Sequence, residues 1–287
     1  MASPNRRAKV VRPVTQDHDR ATTGRGWPDG ITALVLDLDG TLHEDEGFLE
    51  THLDCLVEVA GEAGARAADD ARTILAGEHS VPLGALYDDA RDEVRPGGLN
   101  APEEVATWEG EPRPSAPPPE DFVYLGDGWQ IARAAIRRAG ISRASEAEAF
   151  RRVRANMVDP SVDLPGQALA RRVADSLPPG TYRVLLSNTP DELAAPLLER
   201  LGIGDAFDEV HFGAGKPEGL DKVLDRLLTD YPPERVAVVG DNLRNDIAPA
   251  RARGCVTIAV DPLGVAGPDD ADHVVSSLAE LLDSGAC

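Results

Sequence analysis

Residues 31–37, Ile-Thr-Ala-Leu-Val-Leu-Asp, form a short apolar run that stops abruptly at an acid-rich turn. A run this short, without polar alternation, fits a strand buried on both faces, as in the interior of a parallel sheet. Four runs of the same kind come late in the chain, at 183–187, 209–212, 236–240 and 255–260, with a weaker one at 273–276. The intervals between them carry helical periodicity. In 191–201, Leu193, Leu197 and Leu201 share one face, with Thr189-Pro190 as the expected cap and Gly202 as the stop. Pro196 lies inside that segment and predicts a kink. Residues 218–228 form another amphipathic helix. Strands alternating with helices predict an α/β fold built on a doubly wound parallel sheet.

The stretch between the first run and the later ones is different. Residues 48–60, 130–139 and 146–156 read as helices. By contrast, 95–121 holds Pro96, Pro112, Pro114, Pro117, Pro118 and Pro119 among several acids, and is expected to be a loop or a disordered excursion. The predicted organisation is an N-terminal disordered arm over 1–30, a catalytic core from 31–44 and 181–287, and an inserted, mostly helical cap over 45–180. A length of 287 residues suits one such core with one large insertion. No internal repeat is visible.

Composition narrows the partners. The formal net charge of −21 repels phosphate backbones and anionic membranes, which argues against nucleic-acid and membrane binding. No apolar run approaches the ~20 residues of a membrane span, and the N-terminus lacks the apolar core of a secretory signal. Cys55, Cys255 and Cys287 are odd in number and far apart, which fits neither a disulfide framework nor a Cys-based zinc site. These features predict a soluble cytoplasmic protein. Only Lys9, Lys216 and Lys222 are lysines; the other basic residues are arginines. That skew fits GC-rich coding better than adaptation to salt.

Chemistry concentrates where the apolar runs end. The first ends in Asp37-Leu38-Asp39-Gly40-Thr41, beyond the carboxyl end of a strand, where open parallel sheets bind ligands. Asp37 and Asp39 are two apart and point to one face of an ideal strand. Asp241 and Asp246 follow the run at 236–240. Four carboxylates at two strand ends make a hard-cation site suited to Mg²⁺, although Asp246 also suits a helix cap. Ser187 and Asn188 end another strand, where a hydroxyl and backbone N–H groups near a helix N-terminus fit phosphoryl oxygens. Lys216, in Gly215-Lys216-Pro217, supplies a compact cation and is the only obvious one nearby.

In this order, Asp-Leu-Asp-Gly-Thr, Ser-Asn-Thr-Pro, Gly-Lys-Pro and Gly-Asp-x₄-Asp resemble the four motifs of the haloacid dehalogenase superfamily. The resemblance covers about 31–45 and 181–276. It implies a Rossmann-like core with a cap of the C1 kind between the first two motifs. It also implies that Asp37 is the nucleophile that becomes a phosphoaspartate, and that Asp39 protonates the leaving oxygen and then activates water. Mg²⁺ would be held by Asp37, the backbone carbonyl of Asp39, Asp241 and Asp246, and the phosphoryl group by Ser187 and Lys216. Asp39 separates the chain from dehalogenase members, which lack that acid. The implied activity is a Mg²⁺-dependent phosphatase for a small phosphorylated metabolite. A phosphomutase uses the same motifs and stays open, as does a non-catalytic binding protein on the same fold. The oligomeric state and the substrate are left open too. Glu44 departs from the common phosphatase pattern, and His43 is expected to be a solvated flap residue rather than one facing the substrate.

Overall fold

In the computed structural model, which describes residues 26–44, 47–97, 104–114 and 122–282, the apolar runs pair in parallel. The chain begins with β1 (Ala33–Leu36) and α1 (Phe48–Leu75), followed by five short strands: β2 (Leu86–Asp88), β3 (Glu93–Arg95), β4 (Val105–Ala106), β5 (Pro112–Arg113) and β6 (Val123–Tyr124). Helices α2 (Gly128–Arg138), α3 (Arg143–Val158) and α4 (Gln167–Ser176) come next. The chain then alternates: β7 (Tyr182–Leu186), α5 (Ala194–Leu201), β8 (Glu209–His211), α6 (Glu218–Asp230), β9 (Val236–Gly240), α7 (Ala248–Ala252), β10 (Val256–Val260) and β11 (His273–Val275).

The six-stranded sheet has the order β11-β10-β9-β1-β7-β8. Strand β1 is central because its side chains suit burial on both sides. Ala33 and Val35 pack with Leu220, Val223 and Leu224 of α6, while Leu34 and Leu36 pack on the opposite face. The chain leaves β1 toward β7 and later returns to its other side through β9, so the strand order reverses between β1 and β9. That reversal opens a crevice at the carboxyl ends of the two strands.

The insertion contains α1, α2 and α3 and, in addition, a five-stranded antiparallel sheet of order β5-β4-β3-β2-β6. This corrects the loop expected over 95–121. The described part of that stretch holds the end of β3 together with β4 and β5, and Trp108 between β4 and β5 is only 1% exposed. Its ring lies 4.6 Å from that of Tyr87, and its Nε1 donates to Asp70 Oδ2 at 3.2 Å. One aromatic anchor with its polar atom satisfied stabilises a proline-rich segment that periodicity alone leaves shapeless. Pro112 sits on the exposed edge strand, where no ladder donor is missed. The sheet also touches the core: Leu86 and Tyr124 join Leu243, Ile247, Ala259 and Ala271 in one apolar cluster, and the Arg244 guanidinium lies 4.4 Å from the Phe122 ring centre.

Other local expectations change as well. Helix α1 runs past residue 60 to Leu75, interrupted at Gly61, whose φ of 57° breaks the helical path that the sequence reading ended there. Helix α5 starts at Ala194 rather than at 191, which puts Pro196 in the first turn, where no intrahelical N–H is needed and no kink follows. Gly202 ends it in the left-handed conformation, as expected. Helix α4, assigned by sequence to the insertion, packs through Ala170 and Val173 into the core cluster beside α5. Residues 1–25 of the expected N-terminal arm lie outside the described residues. Just beyond them, Trp27 Nε1 donates to Ser176 Oγ at 3.2 Å. No helix among the described residues is long and apolar enough to cross a membrane.

Candidate active site

Asp37 follows the last residue of β1, at the crevice where strand order reverses. Lys216, in the loop before α6, reaches it from the side, with Nζ 2.7 Å from Asp37 Oδ1 and 2.6 Å from Asp246 Oδ1. Asn188 fixes that loop: its Oδ1 accepts from the Lys216 backbone N–H at 2.6 Å and its Nδ2 donates to the Lys216 carbonyl at 3.4 Å. The Asn188 side chain is therefore engaged with the lysine loop rather than turned to a phosphoryl group. Asp246 belongs to a single wide turn, Leu243–Ile247, after β9. Asn242 caps that turn by accepting from the N–H groups of Arg244 and Asn245, so Asp246 is not the cap.

Asp241 completes the cluster. Carboxylate oxygens of Asp37, Asp241 and Asp246 all lie within 4.8 Å of one another. Octahedral Mg²⁺ with ligands at about 2.1 Å spaces opposite oxygens by about 4.2 Å, so the three carboxylates fit such an ion after small adjustments. Gly40 permits the approach. A Cβ there would lie 2.1 Å from Asp241 Oδ2, and its φ of 80° already favours glycine.

The electrostatics point the same way. Burial raises the Asp37 pKa to about 7, with Asp246 adding to the shift and Lys216 opposing it. Burial also raises Asp241 well above the ordinary carboxylate range, followed by repulsion from Asp127 and Asp37. Burial alone would lower Lys216, but Asp246 and Asp37 outweigh it and keep the ammonium charged. One lysine cannot neutralise this many buried acids, and a divalent cation would.

Asp39 stands apart from the cluster. Its Oδ1 accepts from Arg154 Nη2 at 2.7 Å, and its Oδ2 accepts from Thr189 Oγ1 at 2.6 Å and from Ser187 Oγ at 3.3 Å. Burial would raise its pKa, but Arg154 and then Thr189 hold it below the ordinary value. Lys216 is thus not the only cation at the site. Arg154 comes from α3, 115 residues away in sequence from Asp39. The one signal in the sequence was an arginine within the apolar stripe of Phe150, Val153 and Met157. Ser187 caps no helix, because α5 begins seven residues later; its Oγ instead accepts from the Thr189 N–H at 3.1 Å.

Sequence reasoning also missed Asp127, the N-cap of α2. Its Oδ1 accepts from the Gln130 N–H at 2.8 Å, and its Oδ2 accepts from Asn242 Nδ2 at 2.7 Å, which ties the cap to the acidic cluster. His43 is fully buried, with Nε2 3.0 Å from the Pro165 carbonyl, so it is not the solvated flap residue expected from sequence. Glu44 accepts a hydrogen bond from Ser277 Oγ. Between cap and core lies a cavity of about 1090 Å³, lined by Asp37, Asp39, Ser187 and Lys216 at its floor and by Trp129 and Arg154 from the cap.

The sequence profile of the haloacid dehalogenase-like hydrolases matches residues 31–254. The chain is 34% identical over 178 residues to the phosphoglycolate phosphatase of Chromobacterium violaceum, covering 56% of this chain and 77% of that one. Identity to the phosphoglycolate phosphatase of Salmonella typhimurium is 37% over 105 residues, covering 33% and 40% of the two chains. YfnB of Bacillus subtilis, a HAD-hydrolase solved with magnesium bound, has the same fold, with a TM-score of 0.50 at 14% identity over 88% of this chain and 99% of that one. With the profile matched from β1 to the end of α7, the chain belongs to the haloacid dehalogenase-like hydrolases.

Proposed function

We propose that this hydrolase is a Mg²⁺-dependent phosphatase acting on a small phosphorylated metabolite through a phosphoaspartate at Asp37. The observation that carries this reading is a division of labour. Asp37, Asp241 and Asp246 share one tight cluster with Lys216, while Asp39 is held separately on Thr189 and Arg154.

Asp37 attacks phosphorus with a carboxylate oxygen, and the bond from phosphorus to the ester oxygen breaks. Asp39, once it exchanges Arg154 for the leaving oxygen and takes up a proton from solvent, gives that proton to the oxygen, and then takes a proton from the water that hydrolyses the phosphoaspartate. Lys216, Ser187 and the backbone N–H of Asn188 bind the phosphoryl oxygens. Asp37, the Asp39 carbonyl, Asp241 and Asp246 would hold Mg²⁺, which supplies charge neutralisation of the transferring group. The relative matched over most of its own length is named for phosphoglycolate, and that compound heads the substrate panel. The test is phosphate release from phosphoglycolate and an aryl phosphate, in Mg²⁺ and in chelator, with mass spectrometry of acid-quenched protein to find the modified peptide. Release without Mg²⁺, or a modification elsewhere than Asp37, would overturn the reading.

A further inference from the structure

Arg154 is buried with too few partners. Its side chain is 5% exposed. Nη2 donates to Asp39 Oδ1 at 2.7 Å and also to Thr189 Oγ1. Nη1 meets only the Met157 thioether at 3.2 Å, a weak acceptor, and Nε has no partner at all. The Phe150 ring, 5.1 Å from Cζ, covers one side of the guanidinium. Arg154 nevertheless lines the cavity beside Asp37 and Ser187. A guanidinium carries five donors in a fixed planar fork, and here only Nη2 has strong acceptors, so the group beside the cavity has donor capacity left for an anion.

We propose that Arg154 recognises a carboxylate carried by the substrate close to its ester oxygen, so that the substrates are phosphate monoesters of small hydroxy acids. The proposal rests on the phosphatase reading above and deepens it. Its partner in the present structure is itself a carboxylate, that of Asp39, which shows that the fork accepts this group in this place. Asp39 also reaches Ser187 at the phosphoryl end of the cavity. The span from fork to phosphoryl pocket is therefore about the width of one carboxylate group, which one or two carbons between acid and ester oxygen would bridge. When the substrate carboxylate occupies the fork, Asp39 is released toward the leaving oxygen that lies between the two. The cavity, at about 1090 Å³, has room for acids larger than two carbons, so a class is expected rather than a single compound.

The test compares kcat/KM for phosphoglycolate and for ethyl phosphate, which has the same carbon count without the acid, at saturating Mg²⁺. Wild-type protein should prefer phosphoglycolate by at least about 100-fold, because a site built around a polar group rejects an analogue lacking it. In Arg154→Met that ratio should collapse toward one, mainly through KM for phosphoglycolate, and Arg154→Lys should recover part of it. Glycolate should inhibit wild-type hydrolysis of an aryl phosphate competitively where ethanol does not, a readout that needs no variant to fold. Wild-type hydrolysis of both esters without acid preference, or equal losses on both in a folded Arg154→Met protein, would overturn this inference and leave the phosphatase reading standing. Absence of phosphate release from every ester would instead sink the phosphatase reading itself.

Discussion

Replacing the nucleophile should stabilise the metal-free protein. Asp37 has a pKa of about 7 in the fold against 3.8 for an unperturbed carboxyl, mainly because it is buried. Folding therefore favours its protonated form. That contribution is complete below pH 3.8 and is lost as the pH rises through 7. Three units at about 1.4 kcal/mol each amount to roughly 4 kcal/mol as an upper figure, with about 2.5 kcal/mol of it falling between pH 5 and 8. Asp37→Asn keeps the shape and stays neutral at every pH, so in chelator its stability advantage over wild type should grow by that amount across the interval. Excess Mg²⁺ should narrow the gap, since wild type gains about 2.7 kcal/mol at a hundred times Kd and the variant has lost a ligand. Urea unfolding followed by circular dichroism, at several pH values with and without Mg²⁺, measures all of these quantities. An advantage that does not change between pH 5 and pH 8 would refute the reasoning.

Four further outcomes follow from named contacts. Chelation should reduce phosphatase activity to background, with Mg²⁺ restoring it and Ca²⁺ doing so poorly, because Ca²⁺ takes more ligands at longer distances; equal rescue by both ions in a phosphate-release assay would contradict the compact three-carboxylate site. Asp39→Asn should lose more activity on alkyl than on aryl phosphates, since aryl leaving groups need little protonation, and equal losses would count against the acid role. Gly40→Ala places a Cβ 2.1 Å from Asp241 Oδ2 and should abolish the Mg²⁺-induced rise in melting temperature, so an undiminished rise would show that Asp241 is not a ligand. Trp108→Ala should destabilise the protein by about 3–5 kcal/mol in urea unfolding, as for other buried aromatics, whereas a change below 1 kcal/mol would mean that the inserted sheet contributes little to the fold.

The parallel core was legible because its inner strands β1, β7, β9 and β10 are apolar over most of their length and need nothing beyond local sequence to be seen. The acids at the strand ends were legible for the same reason: a carboxylate closing a buried strand has few structural uses. The inserted sheet was not. Its strands are two or three residues long, too short to show an alternation, and what defines them is the burial of Trp108 against Tyr87, a contact between residues far apart in the chain. Arg154 and Asp127 were hidden because each looks ordinary in its own helix, one as a basic residue on α3 and the other as an N-cap. Their importance arises from contacts across the cavity, with Asp39 and Asn242, which no local spacing encodes.

The grip of the inserted sheet on the core sets how the cavity can admit a substrate. Leu86 and Tyr124 are embedded with Leu243 and Ile247, and the chain passes from β6 directly to Asp127 and α2. A cap hung on two free linkers could lift away as a unit. Here the insertion is fastened to the core at two places: beside the turn that carries Asp246, where Asp127 is bonded to Asn242, and at the end of α3, where the Asn156 and Met157 carbonyls accept from Arg200 of α5. Arg154 lies within three residues of the second fastening. Parting Arg154 from Asp39 by lifting the whole cap would therefore mean breaking both ties, so the holds on the substrate and on the acidic cluster are coupled through the same few contacts.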